Sequence, residues 1–469
     1  MSAEAIRTAF RAGELGFIDP EALATWITRQ RWFGAKASEV VQVGVREAIP
    51  LQGDPPLAIA ILEVRFPSGT HDLYQVPIGL RPASEGGEAI FETGGWLAQE
   101  ALEDPAQALR LGQLLGRSAV IEQGPARLEF NALPGGETLA SASRVRPIGR
   151  EQSNSSLVFG EQVVLKVFRQ LGAGINPELE MRRFLTERAF GPVAELLGWY
   201  EHRGELIDAT LGVAERYVAD ARDGWELTLE ALASGRGEEW LARLAELGTV
   251  SAELHSVLGS DFSDPDFAPQ EPTMEAMALA AAAIDAGIER TFSDLPDDPA
   301  LTGIAGRGEE VREYARLVAQ GGGGGLLIRN HGDLHLGQTM LAPTGWMIVD
   351  FEGEPARPLH ERRVKRSALR DVAGMLRSFA YAAGAVKLQH AVGPPAGWEQ
   401  RARRSFLDAY TESVDPALLP SDAATLEQML TLFELEKAVY ELGYEIDHRP
   451  DWVPIPAVAI ERLLEGMAR

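Results

Sequence analysis

The stretch Asn330-His331-Gly332-Asp333-Leu334-His335-Leu336-Gly337-Gln338 decides how the rest of the chain reads, together with Trp346-Met347-Ile348-Val349-Asp350-Phe351-Glu352 and Leu369-Arg370-Asp371. It puts an aspartate in a glycine-bearing loop, an amide five residues on, and a second aspartate at the end of a short apolar strand. Phosphoryl transfer asks little covalent work of a protein. It needs phosphates held in place, metal ions to neutralise charge, and a carboxylate to receive the acceptor hydroxyl's proton. Asp333, on irregular backbone beside Gly332, suits the last task. Gln338 offers an oxygen to Mg²⁺, a hard cation that prefers oxygen. Asp350 emerges at a strand end, where a second metal contact is easily placed. Each residue alone reads as a turn or cap; the ordered set carries the expectation.

The composition agrees with a soluble enzyme. A chain of 469 residues is long enough for two to four domains, at about 100–200 residues each. Hydrophobic residues make up 45% and charged residues 24%, the profile of a globular protein with a sizeable core. A net charge of −25 argues against nucleic-acid and anionic-membrane partners, both of which need a basic surface. It leaves room for a local basic pocket. With no cysteine, disulfides, thiolate nucleophiles and thiolate metal sites are excluded. No basic-then-apolar leader opens the sequence, and no apolar run approaches about 18 residues. The expected location is the cytoplasm.

Periodicity divides the chain into three. Residues 1–90 read as a cap domain: a helix over 20–33, then strands at 40–47, 57–66 and 73–78 separated by turn signals. Residues 91–216 read as a strand-rich lobe, with a helix over 96–118, strands at 119–122, 126–132, 155–159 and 162–168, a helix over 177–188, and a strand at 211–218. Residues 217–469 read as a mainly helical lobe around a short β insertion. There Trp240, Leu244, Leu247, Ser251, Leu254 and Leu258 mark one long amphipathic face. The glycine run 321–325 reads as a flexible break. The fold class is α+β, bilobal, with an extra N-terminal α/β cap.

The ordered aspartates resemble the aminoglycoside/choline-kinase branch of the protein-kinase-like superfamily, where the catalytic loop reads His-Gly-Asp. The resemblance implies Asp333 as catalytic base, and Gln338 and Asp350 as Mg²⁺ ligands. Gln338 stands where the branch usually has asparagine. The resemblance also asks for a strand lysine and a helix glutamate to clamp the ATP phosphates. Val163-Val164-Leu165-Lys166-Val167-Phe168 supplies the lysine, and burial there would call for an acidic partner. Glu180 is the first choice, and Glu178, on a different side of the helix, the second; alternatively, Lys166 reaches solvent from an edge strand. The run 149–156 sits where a phosphate-covering loop belongs, with Ser153, Asn154, Ser155 and Ser156 as small polar groups. Leu211–Val218 would be the hinge strand, with backbone near Glu215 and Tyr217 facing adenine. Ordinary hairpin structure is the alternative for both. Asp371 reads as a helix-start anion bracing the catalytic loop. His255, His331 and His335 read as bracing or core groups.

The acceptor is addressed further along. Lys437, Tyr440 and Tyr444 share one helix face with Glu441, opposite the apolar Leu435, Val439, Leu442 and Ile446. Aromatic faces stack on sugar rings; an exposed helix covered by the next segment is the alternative. The stretches Arg31–Lys36, His331–Gln338, Asp350–Pro355, Leu369–Phe379 and Glu436–Glu445, with Arg449-Pro450-Asp451-Trp452 and Ile455-Pro456, resemble bacterial maltokinases over nearly the whole chain. That resemblance implies transfer of the ATP γ-phosphate to the anomeric hydroxyl of maltose, giving maltose 1-phosphate for α-glucan (glycogen) synthesis. Asp333, Asp350, Glu352, Lys437, Tyr440 and Tyr444 would line the sugar site. Some relatives are fused to or assemble with trehalose synthase, which leaves such a partner open; otherwise a monomer is expected. The rival readings are a kinase for glucosamine or an aminoglycoside, and a non-catalytic sugar-binding or scaffold protein on a kinase fold.

Overall fold

The Ser2 hydroxyl accepts from the Ala5 N–H at 3.3 Å to start α1 (Ala3–Ala12). Asp19 and Pro20 start α2 (Pro20–Ile27), the carboxylate taking the Glu21 N–H and the ring fitting the first helical turn. The helix expected over 20–33 therefore stops at Ile27. Residues Arg31–Lys36 instead turn Trp32 and Phe33 into the core, their rings 6.0 and 5.4 Å from that of Tyr74. The computed structural model describes residues 2–36, 38–148, 153–293, 295–321, 324–354, 357–390 and 392–467. Two units divide the chain: Met1–Thr186 with Ala194–Ala219, and Glu187–Val193 with Asp220–Arg469.

In the first unit, β1 (Gln42–Leu51), β2 (Leu57–Arg65) and β3 (His71–Pro82) form the expected antiparallel meander. Side chains alternate across β2, and both of its faces are buried. Ala58, Ala60, Leu62 and Val64 pack with Ile6, Phe10 and Leu23 of the first helices. Leu57, Ile59 and Ile61 enter a different cluster, with Leu111, Leu128, Leu157 and Leu165. Strands β4 (Phe91–Thr93) and β5 (Trp96–Glu100) extend the order to β1-β2-β3-β5-β4. The sheet thus runs past residue 90, where the sequence set the cap boundary, and 96–100 is strand rather than helix. Helix α3 (Pro105–Gly116) begins only after Asp104, whose carboxylate accepts from the Ala106 and Gln107 N–H groups.

The second sheet is built from β6 (Val120–Gln123), β7 (Ala126–Ala132), β8 (Val145–Ile148), β9 (Asn154–Phe159) and β10 (Val163–Phe168). After β11 (Gln170–Leu171), which pairs with β3, and α4 (Pro177–Glu187), it is completed by β12 (Leu196–Arg203) and β13 (Ala209–Arg216). Its order is β6-β7-β12-β13-β10-β9-β8. Central in it, β12 carries no clean hydrophobic alternation, and sequence periodicity gives no sign of it. Polar side chains join the two sheets. Gln75, fully buried on β3, donates to the Phe168 and Leu211 carbonyls at 2.8 Å each and accepts from the Tyr200 hydroxyl. Arg169 pairs with buried Glu100 at 2.8 Å.

The second unit is helical. After β14 (Arg222–Asp223) come α5 (Gly224–Ala233), α6 (Gly237–Leu258), α7 (Met274–Ser293) and α8 (Gly308–Gly321). The hairpin β15 (Thr339–Ala342) and β16 (Gly345–Ile348) pairs with β14. Then follow α9 (Leu359–Arg362), α10 (Leu369–His390), α11 (Trp398–Ser413), α12 (Ala423–His448) and α13 (Pro454–Met467). On α6 the predicted face is the buried one: Leu244, Leu247, Ser251, Leu254 and Leu258 are all inaccessible to solvent. Buried residues on every side of its first five turns make α10 the central helix of this unit. Gly374 on α10 lies so near the catalytic loop that a Cβ there would meet the Leu334 carbonyl oxygen at 2.6 Å.

Candidate active site

The catalytic loop hangs from Asp371. This fully buried carboxylate accepts from the His331 N–H at 2.7 Å, the Gly332 N–H at 2.9 Å and His255 Nε2 at 3.1 Å. His255 is tied in turn to the Tyr410 hydroxyl at 2.8 Å. Burial opposes the charge on Asp371, but the bond from His255, the nearby His255 and His331 rings and the Gly332 N–H outweigh it and hold its pKa below the ordinary value. Gly332, at φ 84°, supplies the left-handed kink that lets two successive N–H groups reach one carboxylate. The bracing role expected of Asp371 is what the structure has, and His255 and His331 belong to the same brace. His331 Nδ1 accepts from the Asp333 N–H, which leaves Nε2 to donate to the Val349 carbonyl at 2.9 Å.

Asp333 is thereby fixed at its backbone while its carboxylate stays accessible. Oδ1 accepts from Lys437 Nζ at 2.9 Å. Oδ2 lies 3.8 Å from His335 Nε2 and accepts no hydrogen bond among the described residues. Burial, reinforced by Lys437 and His331 against the pull of Asp333, holds the His335 imidazole below its usual pKa. Glu354 approaches Lys437 from another side at 3.6 Å. Burial works against the ammonium, yet Asp333, Glu354 and Glu441 together raise the Lys437 pKa, so Lys437 is charged at neutral pH.

Gln338 donates to Asp350 Oδ2 at 3.1 Å. The extra methylene of Gln338 does not stop the two side chains from meeting. Asp350 sits at φ 66°, an uncommon conformation for a residue other than glycine, costing about 1–2 kcal/mol. Among the described residues no group of three or more His, Asp or Glu is arranged to hold a metal. Mg²⁺ keeps several waters and takes other ligands from substrate phosphates, so one carboxylate and one amide oxygen suffice. The donor set fits.

Beside Asp333 opens a cavity of about 370 Å³. Lys437, Tyr440 and Tyr444 line it, with the helix facing predicted: Leu435, Val439 and Leu442 are buried on the opposite side, and both tyrosines are exposed. Asp350 and Glu352, which follow β16, are not among the residues lining this cavity. The cavity instead recruits Trp225, Tyr381, Glu441, Glu445 and Trp452. Tyr381 stacks on Trp452 at 6.2 Å, and its hydroxyl donates to Glu445 at 3.1 Å. Glu441 accepts from Arg377 at 2.9 and 2.7 Å, and Glu445 from Arg449 at 2.8 and 2.6 Å. Glu441 lies on the predicted α12 face itself, and Glu445 is one turn beyond Glu441; Trp225 and Tyr381 come from other helices and leave no local signal.

In the first unit, Lys166 is central in its sheet, which removes the edge-strand alternative. Glu178, the second choice, places Oε2 3.9 Å from the Lys166 Nζ. Glu178 is fully inaccessible and points inward with Arg182, which donates to its other oxygen, whereas Glu180 lies on a half-exposed flank. Residues 149–152 of the expected phosphate loop lie outside the described residues. Ser153 is described just before β9, but Asn154, Ser155 and Ser156 are strand residues of β9, in register with Phe168, Val167 and Lys166. The Ser155 hydroxyl is taken by Arg169 at 2.9 Å. At the hinge, Glu215 pairs with Arg182 at 2.5 Å, and the Tyr217 N–H donates to the Gln162 carbonyl at 2.8 Å. That backbone donor is spent within the sheet.

Comparison with known proteins agrees with this architecture. Residues 26–105 match the maltokinase N-terminal cap domain. The chain is 28% identical over 332 residues to a glucosamine kinase of Streptacidiphilus jiangxiensis, covering 67% of this chain and 72% of that protein. It is 27% identical to a glucosamine kinase of Mycolicibacterium smegmatis, covering 68% and 79%. A solved glucosamine kinase superposes with a TM-score of 0.71 at 23% identity over 96% of this chain and 98% of that one, a likeness of fold. The relatives support an ATP-dependent phosphotransferase with a kinase-like fold. The matched cap segment adds a likeness to maltokinases.

Proposed function

We propose that this protein is an ATP-dependent sugar kinase and that its acceptor is maltose, phosphorylated at the anomeric hydroxyl. The observation that carries the reading is the cavity beside the unengaged Oδ2 of Asp333, walled by three tyrosines and two tryptophans. Aromatic faces stack on sugar rings, and carboxylates already paired with arginine, as Glu441 and Glu445 are, act on hydroxyls as acceptors whose charge is compensated. Both features suit a neutral sugar. Asp333 Oδ2 takes the proton of the anomeric hydroxyl as its oxygen bonds to the γ-phosphorus. The bond from that phosphorus to the β,γ-bridging oxygen breaks and ADP leaves. Lys437 holds Asp333 in place, and Lys166, aligned by Glu178, grips the α- and β-phosphates. Gln338 and Asp350 would hold Mg²⁺, which when bound neutralises the β- and γ-phosphate oxygens.

A second reading, glucosamine, is favoured by one feature. Asp333, Glu441 and Glu445 bring three carboxylates to the wall, and an ammonium group could take one of them. The relatives compared are named glucosamine kinases. Incubation with Mg-ATP and a panel of maltose, glucose, glucosamine and an aminoglycoside, followed by ³¹P NMR, separates the readings. A maltose-dependent anomeric phosphate signal is expected. A product from glucosamine alone selects the second reading, and turnover of none of them removes both.

A further inference from the structure

A second, smaller cavity of about 100 Å³ lies on the other side of Asp333, between α9, the start of α10 and α12. In a chain of net charge −25 it gathers Arg357, Arg362, Arg366 and Arg370 on one wall. Two of these are neutralised. Arg370 forms a two-pronged pair with Glu436 at 2.9 and 2.8 Å, and Arg357 is held by Glu354 and Glu361. Arg362 donates to the Arg357 carbonyl at 2.7 Å. The Arg366 guanidinium is different. It is partly buried, and among the described residues it makes no hydrogen bond or ion pair with its side chain. A guanidinium shielded from water without an acceptor is costly. Burial, with Arg370 and Arg357 close by, pushes its pKa down to about 10. A bound anion would supply the missing acceptor and offset the repulsion from Arg370 and Arg357.

The geometry points to an anion pocket centred on Arg366, which takes a phosphate dianion. Guanidinium forks match tetrahedral oxyanions with parallel N–H···O bonds. The wall also carries Asp333, Glu354, Glu361, Asp371 and Glu436. The glutamates and Asp333 engage Arg357, Arg370 and Lys437, and Asp371 holds the loop N–H groups, which leaves Arg366 as the guanidinium open to an added acceptor. Asp333 and Lys437 line both this cavity and the aromatic one, which places a bound phosphate next to the catalytic carboxylate. Either the phosphoryl group of a sugar phosphate or free orthophosphate could supply the dianion.

Calorimetric titration of the full chain with orthophosphate at fixed ionic strength tests this. It needs neither ATP nor turnover, so its outcome is independent of the sugar-kinase reading. Wild type should bind, Arg366→Gln should bind at least tenfold more weakly, and Arg366→Lys should fall between. Folding of each variant is checked by circular dichroism. If Arg366→Gln does not fold, Arg366→Lys and the rise in wild-type melting temperature with phosphate over chloride carry the test. Glucose 1-phosphate that displaces orthophosphate assigns the pocket to sugar phosphates; failure to displace it assigns the pocket to free phosphate. Absence of orthophosphate binding in wild type, or undiminished binding in the variants, overturns the proposal.

Discussion

Lys437 reaches Asp333 across 104 residues of sequence, Nζ donating to Oδ1 at 2.9 Å. The contact ties the tyrosine-bearing helix to the loop of Asp333, so that in the function proposed above the proton-accepting carboxylate and the aromatic wall are set by one ion pair.

Asp333→Asn should lower turnover by about a hundredfold to ten-thousandfold, the range of a lost general base, while Mg-ATP binding is kept. Lys437→Met should reduce turnover by about a hundredfold through misplacement of the carboxylate and should raise the sugar KM as well. Steady-state kinetics with calorimetric ATP titration distinguish the two. Near-normal turnover in Asp333→Asn would remove Asp333 as the base.

Glu178→Gln breaks a buried charge network with Lys166 and Arg182, and removing one partner of such a network costs about 3–5 kcal/mol. Urea unfolding midpoints measure the loss; a change within about 0.5 kcal/mol, the range of an ordinary surface substitution, would show that this network does not hold α4.

Asp371 gives a pH signature. Its folded pKa lies below the ordinary value of about 3.9, so the folded state binds fewer protons than the unfolded chain. The carboxylate therefore contributes its full stability above about pH 4, and loses it as pH falls through the depressed folded value. Asp371→Asn should cost about 1.5–3 kcal/mol at pH 7, as expected for hydrogen bonds to a charged acceptor. The gap from wild type should shrink below pH 4. A gap independent of pH would show that charge is not what holds the loop.

Gln75→Leu leaves the Phe168 and Leu211 carbonyls without their donor, at a cost of about 1–3 kcal/mol. Since Phe168 is two residues from Lys166, the KM for ATP should rise more than the KM for sugar. A rise confined to the sugar would contradict the coupling.

Much of this was legible in the sequence because it is local. Asp333, Gln338 and Asp350 lie within one short segment, and the α12 stripe follows from helical spacing alone. What escaped depends on contacts between distant segments. That Glu178 faces Lys166 depends on the rotation of α4 against the sheet. Trp225 and Tyr381 reach the cavity from helices whose own patterns describe only packing. Ser155 and Ser156 fall in both the predicted strand over 155–159 and the expected phosphate loop over 149–156; pairing with the Lys166 strand decides for the strand and adds Asn154 to it. Asp350 and Glu352 share a short motif with the loop, but they are not among the residues lining the aromatic cavity.

The two faces of β2 have a consequence for modularity. One face closes the core of the first helices and the other closes the core that contains Leu165, the neighbour of Lys166. The cap is thus a party wall rather than an annex. A truncation that begins after the matched cap segment would expose an apolar sheet face of the nucleotide lobe, so a minimal kinase cut from this chain would need that surface redesigned before it could fold.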